Sequence, residues 1–404
     1  MVRIVMTRAA LLALVLLGCS SGGHDSSGET SDGPLYAMMS TVYSEDDRTV
    51  YVAITNSLDA DDVSLDGAHE FSGVANLAAV GGRLLISSGE APTITEYDVS
   101  DSFSWSEGET LSFADFPLSD NANFFYQYLV DDHHMYLPFD GYKRVVWDPT
   151  DFEIEQVMEN SDIEPERDGL QLEAAGNRAG TRYDGSVMMP FFYHDDDWFE
   201  FAETSVIAVY DPETHEEEKL IDAPCAGLAM ASQDEAGNTY FSTWDYGPLR
   251  PLYGLGPAPC VVRVTPDHEL DESFTTDMTE WTGGRFVSNF RYVRDGWGLA
   301  NVFHHERLDA DLEAEEIPAE LFDQVWDDGY WSVWRVDLAH ERAEPFDAIE
   351  LSSFGWGLAQ IDDRNLLSVT YDDYSRTKFY ELDEDGGLSE HLDVVGDASW
   401  IRVR

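Results

Sequence analysis

The chain predicts an all-β protein, a β-propeller of seven four-stranded blades, and three observations predict it. Aromatic residues make up 13% of the sequence, Gly and Asp recur at turn-like spacing, and long apolar faces of 3.6-residue period are scarce. A pair of strands, the second ending in an aromatic or aliphatic residue followed by Asp, recurs about seven times at intervals of roughly 40 to 60 residues, the length of a propeller blade. The repeat keeps one phase from end to end, which disfavours two packed β-sandwiches or a pair of jelly rolls.

The first element is not part of the fold. Arg3 and Arg8 precede an apolar run from Ala9 to Leu17, and Leu16-Leu17-Gly18-Cys19 reads as a lipobox, so residues 1–18 are expected to be a lipoprotein signal peptide cut before Cys19. The run is too short to span a bilayer, which takes about 20 apolar residues. Cys19 is the expected lipid attachment site. Residues 19–34 are mostly Ser, Gly, Asp and Thr, which cannot bury enough apolar surface to offset ordering, so they read as a flexible tether. Ser20, where Asp would favour inner-membrane retention, points to the outer membrane and leaves its face open. Residues 35–404 then form a single propeller domain.

Each unit carries two legible strands. The first members are Val50–Ile54, Arg83–Ser87, Met135–Pro138, Ser186–Phe192, Asn238–Thr243, Gly298–Phe303 and Asn365–Thr370. The second members end at Asp66, Asp98, Asp148, Asp211, Asp267, Asp337 and Asp383, often beside Pro, as type I turn chemistry prefers. Ring closure is expected between Leu35–Val42 and the last blade, with Trp400–Arg404 ending the chain as a strand. Lettering the strands of a blade A to D, the loops from B to C and the connections into the next A open on one face, where ligands normally bind. Cys225 and Cys260 both fall on that face. In an oxidising compartment such a pair is expected to form a disulfide rather than a metal site, since neither lies in a Cys-x-x-Cys arrangement.

Composition excludes some partners. The chain carries 80 acidic and 23 basic residues, a formal charge of −57. Such a surface repels nucleic acid and anionic lipid. It also suits a salty medium, where screening over roughly 3 Å at 1 M salt relieves self-repulsion.

The chemistry is expected on the long B-to-C loops, because binding residues concentrate on loops held by a rigid scaffold. Scarce cations and aromatic planes meet there, and the candidate ligand-binding residues are Lys143, Arg250, Arg285, Arg376 and Lys378 with Tyr142, Trp244, Tyr246 and Tyr374. The pairs His133-His134 and His304-His305 invite a metal reading, with His304 and His305 the weak candidates. Neighbours on a strand point to opposite faces, so each pair offers one inward ligand at most. Calcium at the acidic loops stays open, although no Asp-x-Asp-x-Asp-Gly loop is present. No Gly-x-Ser-x-Gly elbow, dinucleotide fingerprint or P-loop occurs, so no catalytic residue is assigned and binding is favoured over catalysis.

Four segments carry a resemblance: Asp120–Tyr126, Tyr253–Cys260, Thr282–Arg285 and Asp372–Lys378. They resemble a family of lipoproteins encoded with myxochelin, a catecholate siderophore, and more distantly the propeller lipoproteins of the domain-of-unknown-function 4374 group. The similarity covers nearly all of the mature chain. It implies a lipid-anchored protein that binds a ferric siderophore and hands it to an outer-membrane TonB-dependent transporter, with iron present only as part of the chelate. An enzyme acting on a siderophore or another periplasmic substrate, and a scaffold for envelope proteins, are the alternatives.

Overall fold

The computed structural model describes residues 33–404 apart from 45–47, 60–64, 74, 89–90, 117–127, 140, 161, 176–180, 184–185, 196–199, 245–248, 255, 310–320, 322–323 and 327–328. The signal peptide, Cys19 and Tyr246 therefore lie outside the described residues.

Blade 1 contains β1 (Tyr36–Tyr43), β2 (Arg48–Thr55) and β3 (His69–Ser72), and blade 2 contains β4 (Ala75–Val80), β5 (Arg83–Ser88), β6 (Thr93–Val99) and β7 (Trp105–Ser112). Blade 3 is β8 (Tyr128–Asp131), β9 (His134–Phe139), β10 (Lys143–Asp148) and β11 (Glu153–Glu159). Blade 4 holds β12 (Glu166–Arg167), β13 (Leu170–Ala174), β14 (Thr181–Tyr183), β15 (Ser186–His194), β16 (Ser205–Tyr210) and β17 (Glu217–Ala223). Blade 5 follows with β18 (Leu228–Gln233), β19 (Thr239–Thr243), a one-turn helix α1 (Leu249–Leu252), β20 (Val261–Val264) and β21 (Leu270–Thr276). Blade 6 has β22 (Phe286–Arg294), β23 (Trp297–Phe303), β24 (Trp331–Asp337) and β25 (Arg342–Pro345). Blade 7 has β26 (Trp356–Ile361), β27 (Arg364–Tyr371), β28 (Arg376–Leu382) and β29 (Leu388–Val395), and the chain ends in β30 (Asp397–Arg402). These strands form seven antiparallel sheets, a seven-bladed propeller. Six sheets have four strands; blade 4 is enlarged by β12 and by β14, which pairs with β15 alongside β13.

The first and second strand runs read from sequence fall on strands B and C in blades 2 to 7. Blade 1 is out of phase: Val50–Ile54 lies in β2, its strand C, because the innermost strand of this blade comes from the far end of the chain. There β30 pairs with β1, with Ala37 opposite Ile401, so three N-terminal strands and one C-terminal strand close the ring. Closure thus completes the first blade rather than adding a strand to the last. Leu35 and Arg404 are tied together, the Leu35 N–H donating to the Arg404 carbonyl at 3.0 Å.

Alternation along each strand supplies both neighbours with apolar surface. In β9, Met135 and Leu137 pack toward blade 2 while Tyr136 packs toward blade 4. Among the described residues the seven largest apolar clusters lie one at each junction between adjacent blades, so the core is a ring of interfaces, with two smaller clusters near the loop face.

The turns from C to D share one device. Asp148 Oδ1 accepts the N–H groups of Thr150 (2.6 Å) and Asp151 (2.9 Å), Asp211 Oδ1 those of Glu213 (2.7 Å) and Thr214 (2.8 Å), and Asp383 Oδ1 that of Gly387 (2.6 Å). Just before strand D the chain takes a left-handed residue: Phe103, Phe152, His215, His268, Glu341 and Gly386, with φ between 51° and 81°. The strand pairing then slips by one residue in the C–D pairs of blades 2, 3, 4 and 7, and shifts further in blade 5. A type I turn followed by a left-handed bulge residue explains turn, conformation and slip together.

Candidate ligand face and metal centre

The loop face is fixed first at blade 5. Cys225, in the connection into β18, and Cys260, at the close of the B-to-C loop, form the expected disulfide across 35 residues. Hydroxyl groups hold the same corner. Ser205 Oγ donates to the Cys225 carbonyl (2.7 Å) and accepts from Leu228 N (3.1 Å), and Thr243 Oγ1 accepts from Cys260 N at 3.0 Å. Trp244, at the end of β19, is only 9% exposed and packs on Phe192 of blade 4, so it is part of the wall. Arg250 falls in α1, whose Leu249 joins Phe303, Val325, Trp331 and Phe354 in an apolar cap over blades 5 to 7.

Blade 6 assembles the densest polar group on this face. Arg285, in the connection into β22, donates through Nε (2.8 Å) and Nη2 (2.6 Å) to Glu306 Oε1, and through Nη1 to the Thr282 carbonyl at 3.2 Å. Its guanidinium lies 5.8 Å from the ring centre of Trp334. His304 Nδ1 stands 3.3 Å from the same Glu306 oxygen, and its Nε2 meets Ser332 Oγ at 2.7 Å, which also accepts from Trp334 Nε1 at 2.8 Å. Burial holds the His304 imidazole below the usual histidine range. Burial raises the Glu306 carboxyl, but the hydrogen bond and charge of Arg285 outweigh it and leave this group below the usual carboxylate range.

In blade 7, Arg376 opens β28 with Asp372 Oδ2 at 3.6 Å, Asp393 Oδ1 at 3.9 Å and the Tyr371 ring centre at 5.6 Å. Lys378 is paired with Glu390 at 3.1 Å on the outer side of the blade, and Tyr374 is buried at the tip of the B-to-C turn. In blade 3, Lys143 sits 4.9 Å over Tyr142 and 4.0 Å from Glu159. Gly141 makes that turn tight: with φ 67°, a Cβ there would lie 2.2 Å from the Leu172 carbonyl oxygen of blade 4. The structure therefore groups Arg285, Arg376 and Tyr374 on the adjoining blades 6 and 7. Tyr142 and Lys143 stand apart, separated by blades 4 and 5 on one side and blades 1 and 2 on the other. Every one of these cations whose side chain is described already has a carboxylate partner.

Of the two expected metal candidates, His304 is committed to Ser332 and Glu306, and His305 packs its ring toward Phe286 and Phe303. Among the described residues the group able to hold a metal ion is His134, Glu155 and His215, with one ligand atom from each lying within 4.8 Å of the others. It sits on the opposite face, where blades 3 and 4 present their A-to-B and C-to-D turns. His133 turns away from it to Asp148 Oδ2 at 3.1 Å, as the alternation of neighbours requires. The sequence offered His134 through the His133-His134 pair but carried no local signal for Glu155 and His215, which come from the outer hairpins of two different blades.

No protein-family model and no curated protein matches the chain. Among solved structures, the periplasmic gluconolactonase PpgL of Pseudomonas aeruginosa is 13% identical, with a TM-score of 0.53 over 92% of this chain and 100% of that one. A quinonprotein alcohol dehydrogenase-like protein of Bacteroides thetaiotaomicron is 11% identical (TM-score 0.46, 92% of each chain). AztD of Citrobacter koseri is 10% identical (TM-score 0.42, 91% of this chain and 98% of that one). At 13% identity the likeness to the gluconolactonase supports the propeller fold and says nothing of the chemistry.

Proposed function

We propose that the protein is a membrane-tethered binding propeller that holds a ferric catecholate-type siderophore on its loop face and passes it to an outer-membrane TonB-dependent transporter. The observation that supports this reading is the Arg285 group of blade 6: a guanidinium 29% exposed, lying over an indole, with a single carboxylate as its exchangeable partner. A ferric tris-catecholate is an anion with aromatic faces. An Arg fork and an aromatic plane suit both properties, through charge-assisted hydrogen bonds and stacking. Binding would replace Glu306 by catecholate oxygens, with Arg376 and Tyr371 of blade 7 alongside. The lipobox and the resemblance of the four segments support the tether and the ligand class.

The geometry constrains the handover. Strand B of blade 1 begins on the turn face, so Leu35 leaves the disc there, opposite the loop face. A tether of residues 19–34 reaches on the order of 20 Å as a coil. In this proposal the disc tips on that tether to present its loop face to the transporter.

The test is titration of the protein with a ferric catecholate, followed by quenching of Trp fluorescence. Arg285→Ala should weaken binding by roughly tenfold or more, the loss of a charge-assisted hydrogen bond. Glu306→Gln should tighten it several-fold by freeing the guanidinium. If neither variant shifts the affinity, the site is wrong. A chemically altered chelate in the mass spectrum after incubation would overturn binding without catalysis.

A further inference from the structure

We propose that the turn face carries a second, separate site, in which His134, Glu155 and His215 bind a divalent transition-metal ion of the zinc class between blades 3 and 4. The three residues reach one point for reasons that lie in the blade architecture. His134 is the first residue of β9, Glu155 lies near the start of β11, and His215 occupies the left-handed position of the C-to-D turn of blade 4. That turn overhangs the neighbouring blade and brings the two imidazole rings to 4.6 Å between centres, in an edge-to-face arrangement.

Each histidine has its Nδ1 held by an oxygen. The carboxylate of Asp131 takes His134 Nδ1, at 2.9 Å from both oxygens, and the hydroxyl of Tyr136 takes His215 Nδ1 at 2.9 Å. This leaves the two Nε2 atoms for a metal. Oxygen partners on the distal nitrogen are the usual means by which a metal-binding imidazole is oriented and its tautomer set. His215 is 3% exposed, and among the described residues its Nε2 makes no hydrogen bond. The ring is otherwise enclosed, but Nε2 is not sealed from solvent, so an ion can reach it. Glu155 Oε2 is 3.8 Å from His134 Nε2.

Bonds of 2.0–2.1 Å in a tetrahedral site place ligand atoms about 3.3 Å apart. The group needs to contract by an ångström or so, and the Glu155 side chain, 33% exposed, is free to turn inward. Two imidazoles and one carboxylate suit zinc and its neighbours rather than calcium or magnesium, which take oxygen ligands. Three protein ligands leave a fourth position of a tetrahedral ion for water. Arg144 donates to the His215 carbonyl and contributes one opposing positive charge, against the carboxylates of Asp131, Glu155 and Asp211 around the group.

The experiment is zinc(II) titration of the intact chain in excess calcium and molar salt, read by native mass spectrometry and calorimetry. Those conditions suppress collection of zinc by the many surface carboxylates. The expected result is one zinc per chain, with affinity reduced at least tenfold in His134→Gln and in Glu155→Gln and unchanged in His305→Gln. Tyr136→Phe, which removes only the partner of His215 Nδ1, should retain the site at 10- to 100-fold lower affinity. Should His215→Ala fail to fold, the His134 and Glu155 variants decide, because both positions are partly exposed. Equal zinc affinity in the wild type and in all of these variants would show adventitious binding and overturn the site. No chelate enters the experiment, so its outcome is independent of ligand binding on the loop face.

Discussion

Arg144 illustrates how misleading a residue type can be. A basic residue in a B-to-C loop reads as a ligand for anions, yet this one is 1% exposed, donates to Asn160 Oδ1 at 2.6 Å and stacks 3.8 Å from the centre of Tyr210. Its charge is spent on joining blades 3 and 4. Asp397 is the converse, an acid with no cation among its hydrogen-bond partners. It opens β30 fully buried and receives a hydrogen bond from Thr370 Oγ1 at 3.0 Å, and burial pushes its carboxyl up to about 7. An unfolded Asp titrates near 3.9, so between those values the folded chain keeps a proton that the unfolded chain releases. The stability this contributes is complete below about pH 4 and is lost as pH rises through 7, a change on the order of 4 kcal/mol. Asp397→Asn should keep the link to Thr370 and remove that slope, so its advantage over the wild type in urea unfolding should grow from pH 5 to pH 8. Parallel pH profiles for the two proteins would refute a protonated Asp397.

At the scale of elements, the C-to-D turns were the most legible part of the chain. Asp148, Asp211, Asp337 and Asp383 are visible in sequence as strand terminators, and each caps its turn through the side chain. The left-handed residue four or so positions on was not visible, because five of its six occupants are not glycine. In blade 7 it is Gly386, with φ +81°, and an added Cβ would fall 2.5 Å from Arg335 Nη1 of blade 6, which donates to the Asp385 carbonyl at 3.0 Å. Gly386→Ala should therefore cost at least about 1–2 kcal/mol in urea unfolding, the left-handed penalty alone. The innermost strands were the least legible. In blade 4 strand A is split into β13 and β14 and in blade 1 it arrives from the other end of the chain, arrangements that period-two patterning does not encode.

For the whole molecule, ring, blade number and disulfide followed from one periodicity and one cysteine pair, since each depends on short-range pattern repeated at long range. The site did not follow in the same way. Cations and aromatics placed on one face by the blade rule are spread over four blades there, and Arg144 and Trp331, which lie in the same loops, are interior. The metal group needed the juxtaposition of turns on blades 3 and 4, which the packing of one blade on the next supplies. A formal charge of −57 bears on the molecule as a unit. Repulsion among exposed carboxylates opposes the compact state and is screened by salt. The midpoint of thermal unfolding should rise steadily between 0.1 and 2 M KCl; a flat response would mean that the ion pairs along the blades already neutralise the surface field.

The bond between Leu35 and Arg404 sets an order of events during synthesis. A chain delivered from its N-terminus completes blades 2 to 7 one after another, while β1 waits with one edge unpaired until residues 397–404 arrive. An unpaired strand edge is a template for wrong partners. The arrival of β30 thus decides when the ring stops being vulnerable to proteases and to mispairing, and a chain lacking residues 397–404 would carry six finished blades and an open first blade.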